Sequence, residues 1–376
     1  MTTQKKEPPP VNVKTLGTVA CGYVKLGCDP EIFFKVNKKV VGSERFIPPT
    51  GLGYYNNSGE PGFSRFIIDG VQAELNPAPY ACRANLANEI SIAFKKLKEK
   101  LDKTGEKVEV SFDQTVTITK PELLKLESKN QVFGCKPSFN IYDPEAHLSL
   151  ARVDPFEYRK RSAGGHIHIS KSSSNKNSLL HTPDKAIRIL DIIVGNTCVL
   201  IDRDKGNKER RKLYGKAGEY RTPSHGLEYR VLSNFWLKAY PLMSLVFGLT
   251  RLSVEIMNDI NREKYYKALT EAVSDEDVQK AINTNSYRQA FKNYKAIEPI
   301  LMQSIHHNTE GSRPFGPNTL EAFNYFLETV KKEGLGYWFK EEPFQHWCTL
   351  PEAHNGGFYD FLLKRVAPEL RAKTKV

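Results

Sequence analysis

Four short stretches of this chain alternate charged or imidazole side chains with apolar ones: GCDPEIFF, IIDGVQAELNP, GGHIHIS and GLEYRVL. A strand repeats every two residues. Each stretch therefore reads as a strand with a chemically active face and an apolar one. Asp29 and Glu31 form the first pair, Gln72, Glu74 and Asn76 the second series, His166 and His168 the third pair, and Glu228 and Arg230 the fourth. Glu31 enters a strongly apolar run, where a buried carboxylate needs a cation, an arginine or water beside it. Asp69 precedes a turn at Gly70 and, counted along the chain, has the opposite parity to Glu74 unless a bulge intervenes.

Each feature also has an ordinary explanation. The histidines could decorate an exposed strand, Asp69 could hold its turn, and Glu228 with Arg230 could form an internal salt bridge. The segment RRKLYGKAGEYR carries Arg210, Arg211, Lys216 and Arg221. It reads as a solvated basic loop or as a phosphate clamp, since an arginine fork takes two phosphate oxygens at once. Taken together, carboxylates on three strands favour an oxygen-loving ion, magnesium or manganese, the usual companion of nucleotide phosphate. Zinc is the weaker reading, because no third histidine or cysteine lies near His166 and His168. No GxxxxGK[ST] loop and no dinucleotide-type GxGxxG is present, so an ATP site would need another architecture.

The remaining sequence frames that site. A formal charge of +12 suits anionic partners, nucleic acid among them, but acids and bases are interspersed and no familiar nucleic-acid module stands out. Six dispersed cysteines without a CxxC pair argue against a disulfide scaffold and for a reducing compartment. Residues 1–24 read as a loose tail without the apolar core of a secretion signal, and no stretch is apolar enough to cross a bilayer. Strands are expected through Lys25–Pro79, over Lys107–Phe112 and Gln114–Ile118, and near Gly165. Helices are expected over Asn85–Lys100, Pro183–Leu200 and from Pro241 to about Ile256. Asn318 and Glu321 have capping-box spacing ahead of an amphipathic run ending at Gly334. We divide the chain into a tail (1–24), a sheet-based core (25–235) and a mainly helical region (236–376).

In order along the chain, GCDPEIFF, DGVQAELNP, FGCKP, AGGHIHI, RRKLYGKAGEYR and GLEYRVLSNFWL resemble the phage carboxylate–amine ligases called COOH-NH2 ligase type 2. That family is placed in the glutamine synthetase-like and glutamate–cysteine ligase-like superfamily. The resemblance covers about residues 25–240. It implies an α+β, glutamine synthetase-like fold, with a curved, mostly antiparallel sheet backed by helices. It implies ATP and Mg2+ (or Mn2+) activating a carboxylate as an acyl phosphate, which an amine then attacks. Glu31, Glu74, Asp69, His166 and Glu228 resemble the metal-site residues. His168 matches the companion histidine nearer the nucleotide or substrate, and Arg230 a phosphate-contacting arginine. Arg211 and Arg221 would stabilise charge during phosphoryl transfer, with Arg210 and Lys216 beside the nucleotide. Lys136 in FGCKPSF stands where an acid is expected.

The donor and acceptor are left open: a small amino acid, a peptide, a protein side chain or a cell-wall component. The superfamily implies homo-oligomers, and a phage ligase would act in the cytoplasm of an infected host cell. Two other classes compete: a phage structural or accessory protein that keeps the fold, associated with the virion, and a nucleic-acid-binding protein.

Overall fold

The computed structural model describes residues 24–55, 61–81, 83–133, 138–145, 153–171, 175–202, 204–303, 324, 327–328, 331–332 and 342–350. Residues 1–23 of the expected N-terminal tail, Lys136 and the Asn318–Glu321 capping box with its stop at Gly334 lie outside these residues, and Val24, the last residue of that tail, is buried in the core.

The chain forms a mixed α/β structure in which every paired strand is antiparallel. The strands are β1 (Leu26–Cys28), β2 (Glu31–Val36), β3 (Lys39–Val41), β4 (Leu52–Tyr55), β5 (Pro61–Asp69), β6 (Gln72–Asn76), β7 (Val108–Ser111), β8 (Thr115–Thr117), β9 (Phe139–Asn140), β10 (Lys160–Ser162), β11 (Ile167–Ser170), β12 (Glu219–Arg221) and β13 (Gly226–Tyr229). One sheet runs β1-β11-β13-β12-β9. A second runs β3-β2-β6-β5-β4, with β7 also on β2, and β10 pairs β8 separately.

The two larger sheets meet where the chain passes from β1 through Asp29–Pro30 into β2. There Glu31 N–H donates to Gly164 O at 2.9 Å and Leu75 N–H to Pro30 O at 2.9 Å. Gly165 lies so close to the β13 side that an added Cβ would sit 2.4 Å from Ser233 O. The paired glycines thus serve close backbone approach.

Helices cover the apolar faces. Arg83–Asp102 buries Leu86, Ile90, Phe94 and Leu97, the three-and-four spacing that marks its inner face. Tyr240–Asn258 is buried along most of its length, and Pro at its first turn suits a helix start. Three further helices follow, Arg262–Ala272, Asp275–Asn283 and Tyr287–Gln303. The larger apolar cluster runs from Val24 to Leu350 and includes residues of both sheets and these helices, and a smaller one holds Phe33, Val71, Val116, Ile118, Leu123 and Ala163. The expected helix over Pro183–Leu200 is not uniform: an α-helix over Pro183–Leu190 widens into a π turn over Asp191–Gly195. Asp191 is wholly buried there, accepting from Tyr229 OH and Gly218 N–H at 2.7 Å each. No helix among the described residues is long and apolar enough to cross a membrane.

Candidate active site

Strand register assembles the acids. Glu31 on β2 pairs with Glu74 on β6, and Asp69 on β5 pairs with Gln72 on β6. Cross-strand partners point to one face, so Glu31, Asp69 and Glu74 converge. The parity difference counted along the sequence disappears without a bulge inside the hairpin. Gly70 and Val71 alone form the turn, Gly70 at φ 59°, and a two-residue loop puts positions 69 and 72 opposite one another. One carboxylate oxygen from each of Glu31, Asp69 and Glu74 lies within 4.8 Å of the others.

A second trio stands on the neighbouring sheet. His168 on β11 pairs with Glu228 on β13, and Asp29 approaches from the β1–β2 link. Ligand atoms of Asp29, His168 and Glu228 also fall within 4.8 Å of one another. His168 Nε2 is 3.1 Å from Asp29 Oδ2, and His166 Nδ1 is 3.0 Å from Asp29 Oδ1 and 3.7 Å from Glu228 Oε1. Asp29 is thus the hinge of the cluster, with imidazoles on both sides. The alternation Asp29–Glu31 is visible in sequence, but the resemblance singled out only Glu31. Nor does the alternation express a shared strand face: Asp29 precedes β2 and turns to the first sheet, while Glu31 belongs to the second.

The electrostatics of the two trios differ. Burial, followed by the charge of Asp69, pushes Glu31 up to about 8. Burial, with Asp29 next, raises both Asp69 and Glu74, Glu74 well above the usual carboxylate range. Around Asp29 the two histidines win. Burial opposes ionisation, yet His166 and His168 hold the Asp29 carboxyl well below its ordinary value. Burial likewise opposes ionisation of Glu228, and Arg230 with His166 brings it down. Burial, then Arg230, lowers His166 to about 4, which leaves its ring neutral at pH 7. Its Nε2 has no hydrogen-bond partner among the described residues.

One oxygen of Glu31 is held by the protein. Gly164 N–H donates to Oε2 at 2.7 Å, Gln72 Nε2 at 3.3 Å and Tyr214 OH at 3.4 Å. The Tyr214 ring stands edge-on to His166 with centroids 6.1 Å apart, and the Arg210 and Arg230 guanidinium carbons lie 4.4 and 5.9 Å from its centroid. Sequence reasoning passed over Tyr214, which reads there as one aromatic in a basic loop.

The arginines divide into two groups. Arg230 is buried and donates to Glu228 Oε1, and half-buried Arg221 lies 3.5 Å from the same oxygen. Arg210 instead donates to the carbonyls of Arg230, Val231 and Leu232. Arg211 donates to Ile282 O and, at 3.0 Å, to Asn285 Oδ1. Both guanidinium groups are engaged in holding the chain together, which differs from the clamp suggested by sequence. The side chain of Lys216 is half-buried, and its backbone N–H donates to Glu219 Oε1 at 3.2 Å.

The donor set fits divalent cations. Burial and the neighbouring acids raise the proton affinity of Glu31, Asp69 and Glu74, which a bound cation would relieve.

Comparison with known proteins agrees in kind. Residues 151–303 match the family model described as phage phiEco32-like COOH.NH2 ligase-type 2, a name that describes a carboxylate–amine ligase. The matched region carries β11, β12 and β13, and so His166, His168, Arg221, Glu228 and Arg230. Asp29, Glu31, Asp69 and Glu74 lie outside it. No curated protein matches the chain.

Proposed function

We propose that this chain is an ATP- and Mg2+-dependent carboxylate–amine ligase with a glutamine synthetase-like catalytic fold, Mn2+ being an alternative ion. The observation that carries this reading is the pair of adjoining ligand trios, Glu31–Asp69–Glu74 and Asp29–His168–Glu228, flanked by Arg221 and Arg230. Phosphoryl transfer between anions needs charge neutralised on several oxygens at once, and two cation positions beside two arginines supply that.

In this reading the trios and His166 hold divalent ions, which would supply positive charge against the nucleotide phosphates. Arg230 and Arg221 orient and neutralise the transferred group, and Lys216 meets nucleotide phosphate. The donor carboxylate oxygen attacks the γ-phosphorus and ADP leaves, giving an acyl phosphate. The amine nitrogen then attacks the acyl carbon, the C–O bond to phosphate breaks, and inorganic phosphate departs with loss of a proton from nitrogen. The products are an amide, ADP and phosphate. Donor and acceptor are of open identity, a peptide, a protein or a cell-wall component among them. The setting is the cytoplasm of an infected host cell, the assembly a homo-oligomer.

Calorimetry with ATP tests this, with and without Mg2+, on wild type and Glu31→Ala. Binding that requires Mg2+ and disappears in the variant supports the ligase. A folded wild type that ignores ATP with Mg2+ would sink it in favour of a non-catalytic phage role.

A further inference from the structure

His225 was no part of the sequence argument. It lies in the turn joining β12 to β13, and strand parity would send it away from Glu228. The turn redirects it: Gly226 N–H donates to Pro223 O at 3.0 Å, and Lys171 N–H donates to His225 O at 3.1 Å. The backbone of His225 is thereby fixed to the end of β11. Its ring reaches back over that strand, and its Nε2 lies 2.9 Å from Nδ1 of His168.

We propose that His225 is a positioning residue that sets the tautomer of His168 for metal binding. This rests on the reading of Asp29–His168–Glu228 as an ion site. The nitrogen of His168 that faces Asp29 is Nε2, at 3.1 Å. A neutral imidazole carries one proton on one of its two nitrogens. With that proton on Nε2, the ring donates to Asp29 and Nε2 has no lone pair for an ion. With it on Nδ1, Nε2 presents its lone pair beside the Asp29 and Glu228 oxygens. His225 decides between them. Its Nε2 accepts from His168 Nδ1–H while its own proton sits on Nδ1. A partner on the outward nitrogen of a ligating histidine commonly fixes tautomer and ring orientation. Here an exposed imidazole takes the place usually held by a carboxylate or carbonyl.

Its exposure makes the test clean, because among the described residues the His225 ring has its hydrogen bond to His168. The full chain is titrated with Mn2+ as probe, following free ion by electron paramagnetic resonance and bound nitrogen by electron spin-echo modulation. His225→Ala should weaken the nitrogen-bearing site by roughly tenfold, with a smaller loss at the Glu31–Asp69–Glu74 site. His225→Gln, whose side-chain oxygen can accept from Nδ1–H, should restore most of that affinity, and His168→Gln should reduce the nitrogen signal to what His166 contributes. Equal affinity in His225→Ala with an unchanged nitrogen signal overturns the inference. So does a nitrogen signal left unchanged by His168→Gln, which would put His166 alone at the ion. A folded wild type that binds no Mn2+ at all overturns the ion-site reading itself, a different result from either.

Discussion

Replacing Glu31 by Gln should stabilise the metal-free protein while abolishing its stabilisation by divalent ions at that trio. Glu31 is wholly buried, and its proton affinity rises from 4.5 to about 8, through burial and then the charge of Asp69. Because the folded-state value lies above the unfolded one, the protonated group favours folding at low pH. That contribution is lost as pH rises from about 4.5 through about 8. At ~1.4 kcal/mol per pH unit the full rise corresponds to roughly 5 kcal/mol. Burial is the larger cause, with repulsion from Asp69 and then Asp29 added to it, and removing the Glu31 charge should recover roughly 2–3 kcal/mol at pH 8.5 and little at pH 5. For a chain this large that is a rise in Tm of roughly 3–4 °C. The glutamine oxygen can still accept Gly164 N–H, now at 2.7 Å from Glu31 Oε2, while the amide NH2 faces the acids. Calorimetric melting in chelator at both pH values, then with Mn2+, reads both effects. A variant no more stable than wild type at pH 8.5 in chelator would refute the repulsion. Equal stabilisation of both proteins by Mn2+ would refute the ligand role.

Two further substitutions probe the scaffold. Asp191→Asn leaves one oxygen for two donors, Tyr229 OH and Gly218 N–H, and should cost about 1–3 kcal/mol in urea unfolding; an unchanged midpoint would show that the π turn does not depend on the carboxylate. Trp347→Ala removes a fully buried ring that stacks on Phe94 and donates to Leu237 O at 2.6 Å. It should cost about 3–5 kcal/mol and speed proteolysis around Pro343–Thr349, and digestion at the wild-type rate would count against that anchor.

The readable parts of the fold were those governed by local period. Leu86, Ile90, Phe94 and Leu97 announce the helix Arg83–Asp102 because their spacing alone makes a face, and HIHI and LEYR announce strands in the same way. Asp191 was not readable. It interrupts an apolar helical run with a carboxylate whose partners come from Gly218 and Tyr229, more than twenty residues onward. Arg210 and Arg211 misled for a related reason. A guanidinium in a basic loop looks the same in sequence whether its donors meet phosphate or, as here, carbonyls of Val231 and Ile282.

Turn geometry set the other limit, and it bears directly on the site. Parity along a strand is local, but a turn resets it. The Gly70–Val71 hairpin brings Asp69 onto the face of Glu74, and the Pro223–Gly226 turn swings His225 back over His168. Asp29 escaped for the same reason at larger scale. The link between β1 and β2 crosses from one sheet to the other, so two acids that read as one alternating pair serve two different trios. The sheet junction thereby does what neither sheet could do alone. Each contributes carboxylates that repel at close range, and Asp29, paired with imidazoles on one side, raises Asp69 and Glu74 on the other. A cation in either trio would therefore lower the electrostatic cost of ionising the other. The two positions should fill cooperatively, the coupling running through Asp29 rather than through any movement of the fold.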